Sequence, residues 1–365
     1  MKFEVTKESL LNGINAIIGV VERKQSMPIL SHLLITLSDR GICITGTDLE
    51  VQVDVFIDAK TTGDERITLP GRKLFDICRS LPDGSTISIY GEQGKIKVNS
   101  GTSKFSLAPL EPNEFPLMPI GDSLNIINID SGDFLNLLEK TSFSMANQDV
   151  RHYLNGVMLQ IKEGKLTAVA TDGHRLAVSS CNLAEESSTD FNIIIPRKAV
   201  IELQKILVSG NKIQVNAEKN QISVKQDDKN LISKIIEGNF PDHTRVIPVS
   251  PTIIVIADRK NLKQSLQRAS ILSNEKYRGI RININKNQLL ISATNPEHEE
   301  AEESLEVDFS GDSLEVGFNV SYLIDVLNVI QEDEIALSLV DSSSSCLING
   351  VKNKEEIYVV MPMRL

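Results

Sequence analysis

The chain has 365 residues and a net charge of −11, which excludes attraction to nucleic acid through overall charge but leaves room for a local basic surface. That length exceeds one ordinary domain, and the 41% hydrophobic content provides cores for two or three. The start, MKFEVTKESL, has no apolar signal core, and no run approaches a membrane span. Cys43, Cys78, Cys181 and Cys346 show no CxxC spacing, so free thiols in a cytoplasmic protein are expected, with no membrane contact and no cofactor.

The opening MKFEVTKESLLNGINAIIGVV alternates apolar residues and then places Leu10, Ile14, Ile17 and Val21 at helical spacing. Short alternating strands follow in HLLITLSDRGICITGTD, then a second helix in LPGRKLFDICRSL, and EFPLMP closes the unit. About 125 residues on, NIINIDSGDFLNLLEKTSFSM repeats the plan, with Phe134, Leu137, Leu138 and Met145 on the helix and Asp130 or Ser131 as its N-cap. Its strands lie in LNGVMLQIKEGKLTAVATDGHRLAV, its second helix in IPRKAVIELQKIL, and NFPDHTRVIP closes it. The third copy opens with TIIVIADRKNLKQSLQRASIL, where Asp258 is the cap and Leu262, Leu266 and Ala269 form the apolar stripe. IRININKNQLLISATN, FNVSYLIDVLNVI and the terminal YVVMPMRL complete it. The pattern predicts an α+β fold of three similar domains, 1–120, 121–248 and 249–365. Each has two helices packed on antiparallel sheet and about eight strands, and is itself roughly duplicated.

Charge is uneven. Residues 1–120 and 121–250 each carry −2, whereas 251–365 carry −7. Much of the excess sits in PEHEEAEES, as Glu297, Glu299, Glu300, Glu302 and Glu303. Two readings stand: a solvated acidic edge, or an interface with the basic GKIKVNSGTSK (Lys95, Lys97, Lys104) in a head-to-tail contact. Cations gather on the helices: Arg72, Lys73 and Arg79; Arg197, Lys198 and Lys205; Arg259, Lys260, Lys263 and Arg268. They make either plain solvated faces or a surface for a polyanion.

Catalytic signals are thin. There is no P-loop, GxGxxG, GxSxG or HExxH, and the five histidines lack metal-ligand spacing. In ATDGHRLAV, Asp172 and His174 read either as an acid and a base or as a turn between two strands with a hydrogen-bonded imidazole. Nothing supplies a nucleophile, a metal or a phosphate cradle, so the chain reads as a binding protein.

The three repeats, together with QDVRHYLNGVML, TDGHRLAV, IIPRKAVIEL, ILSNEKYRGIR, NPEHEEAEE, GFNVSYLIDVLN and YVVMPMRL, closely resemble the bacterial sliding clamp family, the β subunit of DNA polymerase III. The resemblance spans the whole chain. It implies the DNA-clamp fold, a crescent of three domains, and two chains paired head to tail into a closed ring around duplex DNA. It also implies partners that insert short peptide motifs into a pocket: the polymerase III catalytic subunit, the clamp loader, and other polymerases and repair proteins. By matching motif, that pocket is Leu154, Thr171, Gly173, His174, Arg175, Leu176, Pro241, Arg245 and Val246, with Asn319, Tyr322, Ser345, Val359 and Val360. The tail Met361, Pro362, Met363, Arg364 and Leu365 completes it. DNA-facing positions are Lys24, Arg72, Lys73, Arg79, Gln148, Arg151, Tyr153, Arg197 and Lys198. Phe105, Ile271 and Leu272 match the apolar dimer contact, flanked by the Lys and Glu groups above. The alternatives are a scaffold of the same fold that never encircles DNA, and a hydrolase centred on Asp172 and His174.

Overall fold

The computed structural model describes the chain except for residues 22–26, 120–124, 184–189, 354 and 365. Its helices are α1 (Lys7–Ile17), α2 (Gly71–Ser80), α3 (Ser131–Thr141), α4 (Arg197–Ile206), α5 (Arg259–Ala269) and α6 (Val320–Val329), two for each sequence repeat. Among the described residues no helix is long and apolar enough to cross a membrane.

The strands run straight into the helices, so the cap residue is the last, still extended residue of a strand. The side chains of Thr6, Asp258 and Asn319 accept from the backbone N–H of Ser9, Asn261 and Ser321, satisfying donors the first turn leaves open. Asp130 does the same for Gly132 at 2.7 Å. Each helix then buries one stripe, Leu10, Ile14 and Ile17 on α1 and Leu262, Leu266 and Ala269 on α5, as the spacing predicts.

The chain forms two compact units, Met1–Leu135 with Lys198–Ile235, and Asn136–Arg197 with Ile236–Leu365. The first holds a five-stranded antiparallel sheet in the order Lys60–Thr62, Lys2–Thr6, Thr86–Glu92, Lys95–Ser100, Ser103–Leu107. Its second sheet has eight strands. Four come from the middle repeat and four from the first, joined where Lys229–Lys234 pairs with Val51–Asp58 (Leu231 opposite Val53). The second unit repeats the arrangement. An eight-stranded sheet joins the middle and third repeats through Arg175–Asn182 and Ile357–Val360, and a four-stranded sheet runs Glu300–Glu306, Gln288–Thr294, Gly279–Asn285, Leu314–Asn319.

The grouping adds a feature on which the sequence pattern is silent: the halves of the middle repeat belong to different compact units. The reason is edge pairing. A four-stranded half-repeat presents an edge of unpaired N–H and C=O groups, and a neighbouring half-repeat of matching register satisfies them.

In the second unit the inward faces of both sheets and helices α5 and α6 share one core, which includes Leu266, Ile282, Phe318, Leu323, Ile348 and Tyr358. Tyr358 is fully buried and its hydroxyl donates to Glu356 at 3.0 Å. Glu356 in turn pairs with the buried Lys140 at 3.2 Å, and Lys140 also donates to the carbonyl of Val329, the last residue of α6. A cation there opposes the negative end of the helix dipole.

All four cysteines are free. Burial pushes the thiols of Cys78 and Cys346 up to about 12, so neither forms appreciable thiolate near neutral pH. Alkylation of the native protein at pH 8, mapped by mass spectrometry, should spare both until denaturant is added. Rapid labelling of either in the folded protein would contradict this packing.

Candidate peptide-binding site

Strands Lys165–Thr171 and Arg175–Asn182 are consecutive and antiparallel, with Thr171 opposite Leu176, so Asp172, Gly173 and His174 form the turn between them. Asp172 Oδ1 accepts from the backbone N–H of His174 at 2.9 Å and of Arg175 at 3.1 Å, an aspartate turn. Gly173 has φ +90°, and a Cβ there would lie 3.1 Å from the Arg151 guanidinium; conformation and space both call for glycine.

Arg175 is the centre of the wall. Its Nε donates to Asp172 Oδ2 at 3.1 Å and its Nη1 to Asp325 Oδ2 at 2.5 Å. The guanidinium also lies over the rings of Tyr322 (4.6 Å) and Phe143 (5.4 Å). The Asp172 carboxylate is thus committed to the turn and to Arg175, not poised as an acid beside His174. What holds the imidazole is a ring stack on Tyr322, centroids 6.2 Å apart at 17°, rather than the hydrogen bond expected from the sequence. Burial, then the charge of Asp172, raises the Tyr322 phenol above its ordinary value, so it stays neutral.

The last strand and the tail supply a second wall alongside the first. Ile357–Val360 pairs with this strand, Arg175 opposite Val360 and Leu176 opposite Val359. Beyond it the Met361 N–H donates to the His174 carbonyl and the Met363 N–H to that of Gly317, each at 2.9 Å. Between the walls lies a cavity of about 230 Å³. It is lined by Leu154, Thr171, Gly173, His174, Arg175, Leu176, Pro241, Val246, Val359 and Met361, all carried over from the motif. Arg151, Tyr153, Asp242 and His243 line it too. Burial holds the His243 imidazole below its ordinary value, adding a neutral side chain.

The sequence of the whole chain matches three descriptions in one family. These are the DNA polymerase III beta subunit N-terminal domain over residues 1–119, its central domain over 128–242 and its C-terminal domain over 244–364. The chain belongs to the DNA polymerase III beta subunit family. It is 42% identical over 367 residues to the beta sliding clamps of Pseudomonas putida and of Escherichia coli K12, covering 100% of both chains in each case. Its fold matches the crystal structure of the DNA polymerase III subunit beta from Pseudomonas aeruginosa with a TM-score of 0.96, at 41% identity and full coverage of both chains. The chain is therefore a DNA sliding clamp with three domains, and DNA and a DNA polymerase are its general partners.

The other carried-over pocket positions that the structure describes are outside that lining. Tyr322 backs His174 and Val360 is buried in the paired strand. Asn319 caps α6 and donates to the Tyr277 carbonyl at 3.3 Å, and Ser345 is half-buried. Arg245 is exposed and pairs with Asp242 at 3.0 Å. Pro362 and Met363 are half-buried and Arg364 exposed, while Leu365 lies outside the described residues.

Of the DNA candidates, Arg151 and Tyr153 line the cavity itself. Asp149, hydrogen-bonded to Arg151 at 2.9 and 3.0 Å and lowered by it to about 2, fixes that guanidinium against the turn. Arg72 donates to the Val21 carbonyl (3.1 Å) and Arg197 to that of Met145 (3.2 Å). Lys198 pairs with the nearly buried Asp48. Lys73 and Gln148 are exposed; so is Arg79, which pairs with Asp76 at 3.2 Å. Lys24 lies outside the described residues.

Of the interface candidates, Lys104 and the half-buried Phe105 sit on the edge strand Ser103–Leu107, and Lys95 and Lys97 on its neighbour. Glu300, Glu302 and Glu303 lie on the edge strand Glu300–Glu306, with Glu297 and Glu299 exposed just before it. Glu303 is held by Arg268 through bonds of 2.7 and 2.6 Å, so it is engaged within its own chain. Ile271 is 75% exposed and Leu272 half-buried.

Asp242, His243 and Phe143 were missed. The first two stand inside the quoted NFPDHTRVIP, but nothing local marks them as lining; Phe143 reads as ordinary helix-end packing. Replacing Arg175 by Met should strand two carboxylates and unstack Tyr322. The cost is about 1–3 kcal/mol, read as a lower urea midpoint, with a smaller loss for Asp325→Asn. An unchanged midpoint for Arg175→Met would contradict its central place.

Proposed function

We propose that two copies of the chain pair head to tail into a closed ring around duplex DNA, and that the cavity beside Met361 takes short apolar segments of the proteins the ring tethers. Those partners are the polymerase III catalytic subunit, the clamp loader, and other polymerases and repair proteins. The chain itself performs no catalysis. The observation that carries the reading is the cavity: mostly apolar, with Met361 and His174, itself stacked on Tyr322, in its lining. The domains are 1–120, 121–248 and 249–365, a division supported by the family matches over 1–119, 128–242 and 244–364.

The ring closes where the edge strand Ser103–Leu107 of one copy meets Glu300–Glu306 of the other, pairing two open sheet edges of opposite charge around Phe105, Ile271 and Leu272. Ion pairs there add roughly 0–1 kcal/mol each, so the apolar contact dominates. Ile271→Ala with Leu272→Ala should remove about 2–5 kcal/mol per side chain and leave a folded monomer. An intact dimer at low micromolar concentration by sedimentation would place the interface elsewhere.

DNA is touched by a few cations and held mainly by enclosure. Direct binding should weaken as salt rises, while a ring placed by a clamp loader stays on closed circular DNA and leaves linear DNA by its ends. Equal loss from both templates would refute the ring.

For the pocket, removal of Met361 to Leu365 should abolish binding of a peptide such as QLSLF, measured by fluorescence anisotropy, with the dimer intact. His174→Ala should weaken it. Unchanged affinity in the truncated dimer would put the peptide site elsewhere.

A further inference from the structure

The tail walls a second cavity as well. Met361 lines the first; Met363 and Arg364 line another, of about 460 Å³, on the outer face of the four-stranded sheet. Strand alternation creates it. Ile280, Ile282, Ile291 and Ala293 point into the core, so Gly279, Arg281, Ser292 and Thr294 face outward. Arg281 stands opposite Ser292 on one neighbouring strand and Gly317 on the other. Glycine and serine leave the sheet hollow there, between the taller Tyr277, Arg281 and the tail.

Two features define what fits this hollow. The charged groups lining it, Arg281 and Arg364, are both cations. Arg281 pairs with Glu315 at 3.1 Å through one nitrogen, with both side chains about half exposed, so other donors of its guanidinium face solvent. Glu302 and Glu300, opposite Ser292 and Thr294 on the next strand, make the far rim acidic. A long acidic run is therefore repelled, and the hollow suits one or two carboxylates close to the arginines. Tyr277, 57% exposed, offers an apolar surface at its side.

We propose that the partner segment filling the first cavity continues across the tail and seats an acidic flank in this second one. Met361 lines the first cavity and Met363 and Arg364 the second, so the tail runs from one to the other, and two extended residues reach at most about 7 Å. The inference rests on the reading of the first cavity as the peptide site.

The test uses the full-length dimer and fluorescence anisotropy with QLSLF, and with QLSLF carrying Asp-Asp or Lys-Lys two residues beyond either end. One of the two Asp-Asp peptides should bind about five- to tenfold more tightly than QLSLF, with no gain from its Lys-Lys counterpart and a smaller gain at high salt. Arg281→Gln removes the cation and Ser292→Phe fills the hollow. Each should erase the gain while leaving QLSLF itself within about twofold of the parent. Absence of gain from both acidic peptides, or a gain that persists in both variants, overturns the proposal. Failure of QLSLF to bind the parent protein refutes the first-cavity reading instead, and this one falls with it.

Discussion

Four residue pairs, from Arg175 opposite Val360 to Val178 opposite Ile357, hold the end of the chain against its middle. The site depends on them. The turn at 172–174 and the methionine tail are remote in sequence, and closing a loop of that length costs roughly 4–5 kcal/mol from its length-dependent entropy alone. The offset comes from burial. Tyr358, Val359 and Val360 are at most 1% exposed, and each such valine contributes about 1.5–3 kcal/mol. Once Val360 is fixed, the Met361 N–H reaches the His174 carbonyl and the cavity acquires its second wall. Position of the site therefore follows from core packing, in which Leu176 and Val359 serve both as buried strand residues and as lining.

The same pairing shows which parts of the fold were legible. Helices and strands follow from local periodicity and caps, and those were readable: Asp258 caps α5 and the Leu262, Leu266, Ala269 stripe is buried as written. Which strand edges meet is a non-local matter. Lys229–Lys234 against Val51–Asp58 carries no local mark, so three repeats were visible while their regrouping into two compact units was not. Internal duplication of each repeat was the available hint, since only a repeat built of halves can be shared between two sheets.

Within the site, the limits of sequence were electrostatic. Arg151 beside Tyr153 on a loop reads the same whether it meets a phosphate or rims a cavity; its bonds to Asp149 and its place beside Gly173, which put it in the lining, have no local mark. Lys198 with Asp48, and Arg268 with Glu303, are likewise engaged by acids far off in sequence. Where such a pair crosses segments, as Lys198 with Asp48 does, net charge by segment misstates the charge that a phosphate would meet. The pocket residues themselves came through family resemblance, because an apolar lining assembled from four separate stretches has no period to betray it.

The two walls are held in different ways. On one side Arg175 ties Asp172 and Asp325 together and lies over two rings, so His174 and Tyr322 stand on a fixed support. On the other, the tail is held by the N–H groups of Met361 and Met363, with Pro362, which has no N–H to offer, between them. Methionine has three rotatable bonds and a polarizable sulfur, so Met361 can reshape while its backbone stays anchored. A rigid wall selects for large apolar side chains and a yielding one tolerates differences among them. A cavity that accepts one kind of anchor from many sequences needs both.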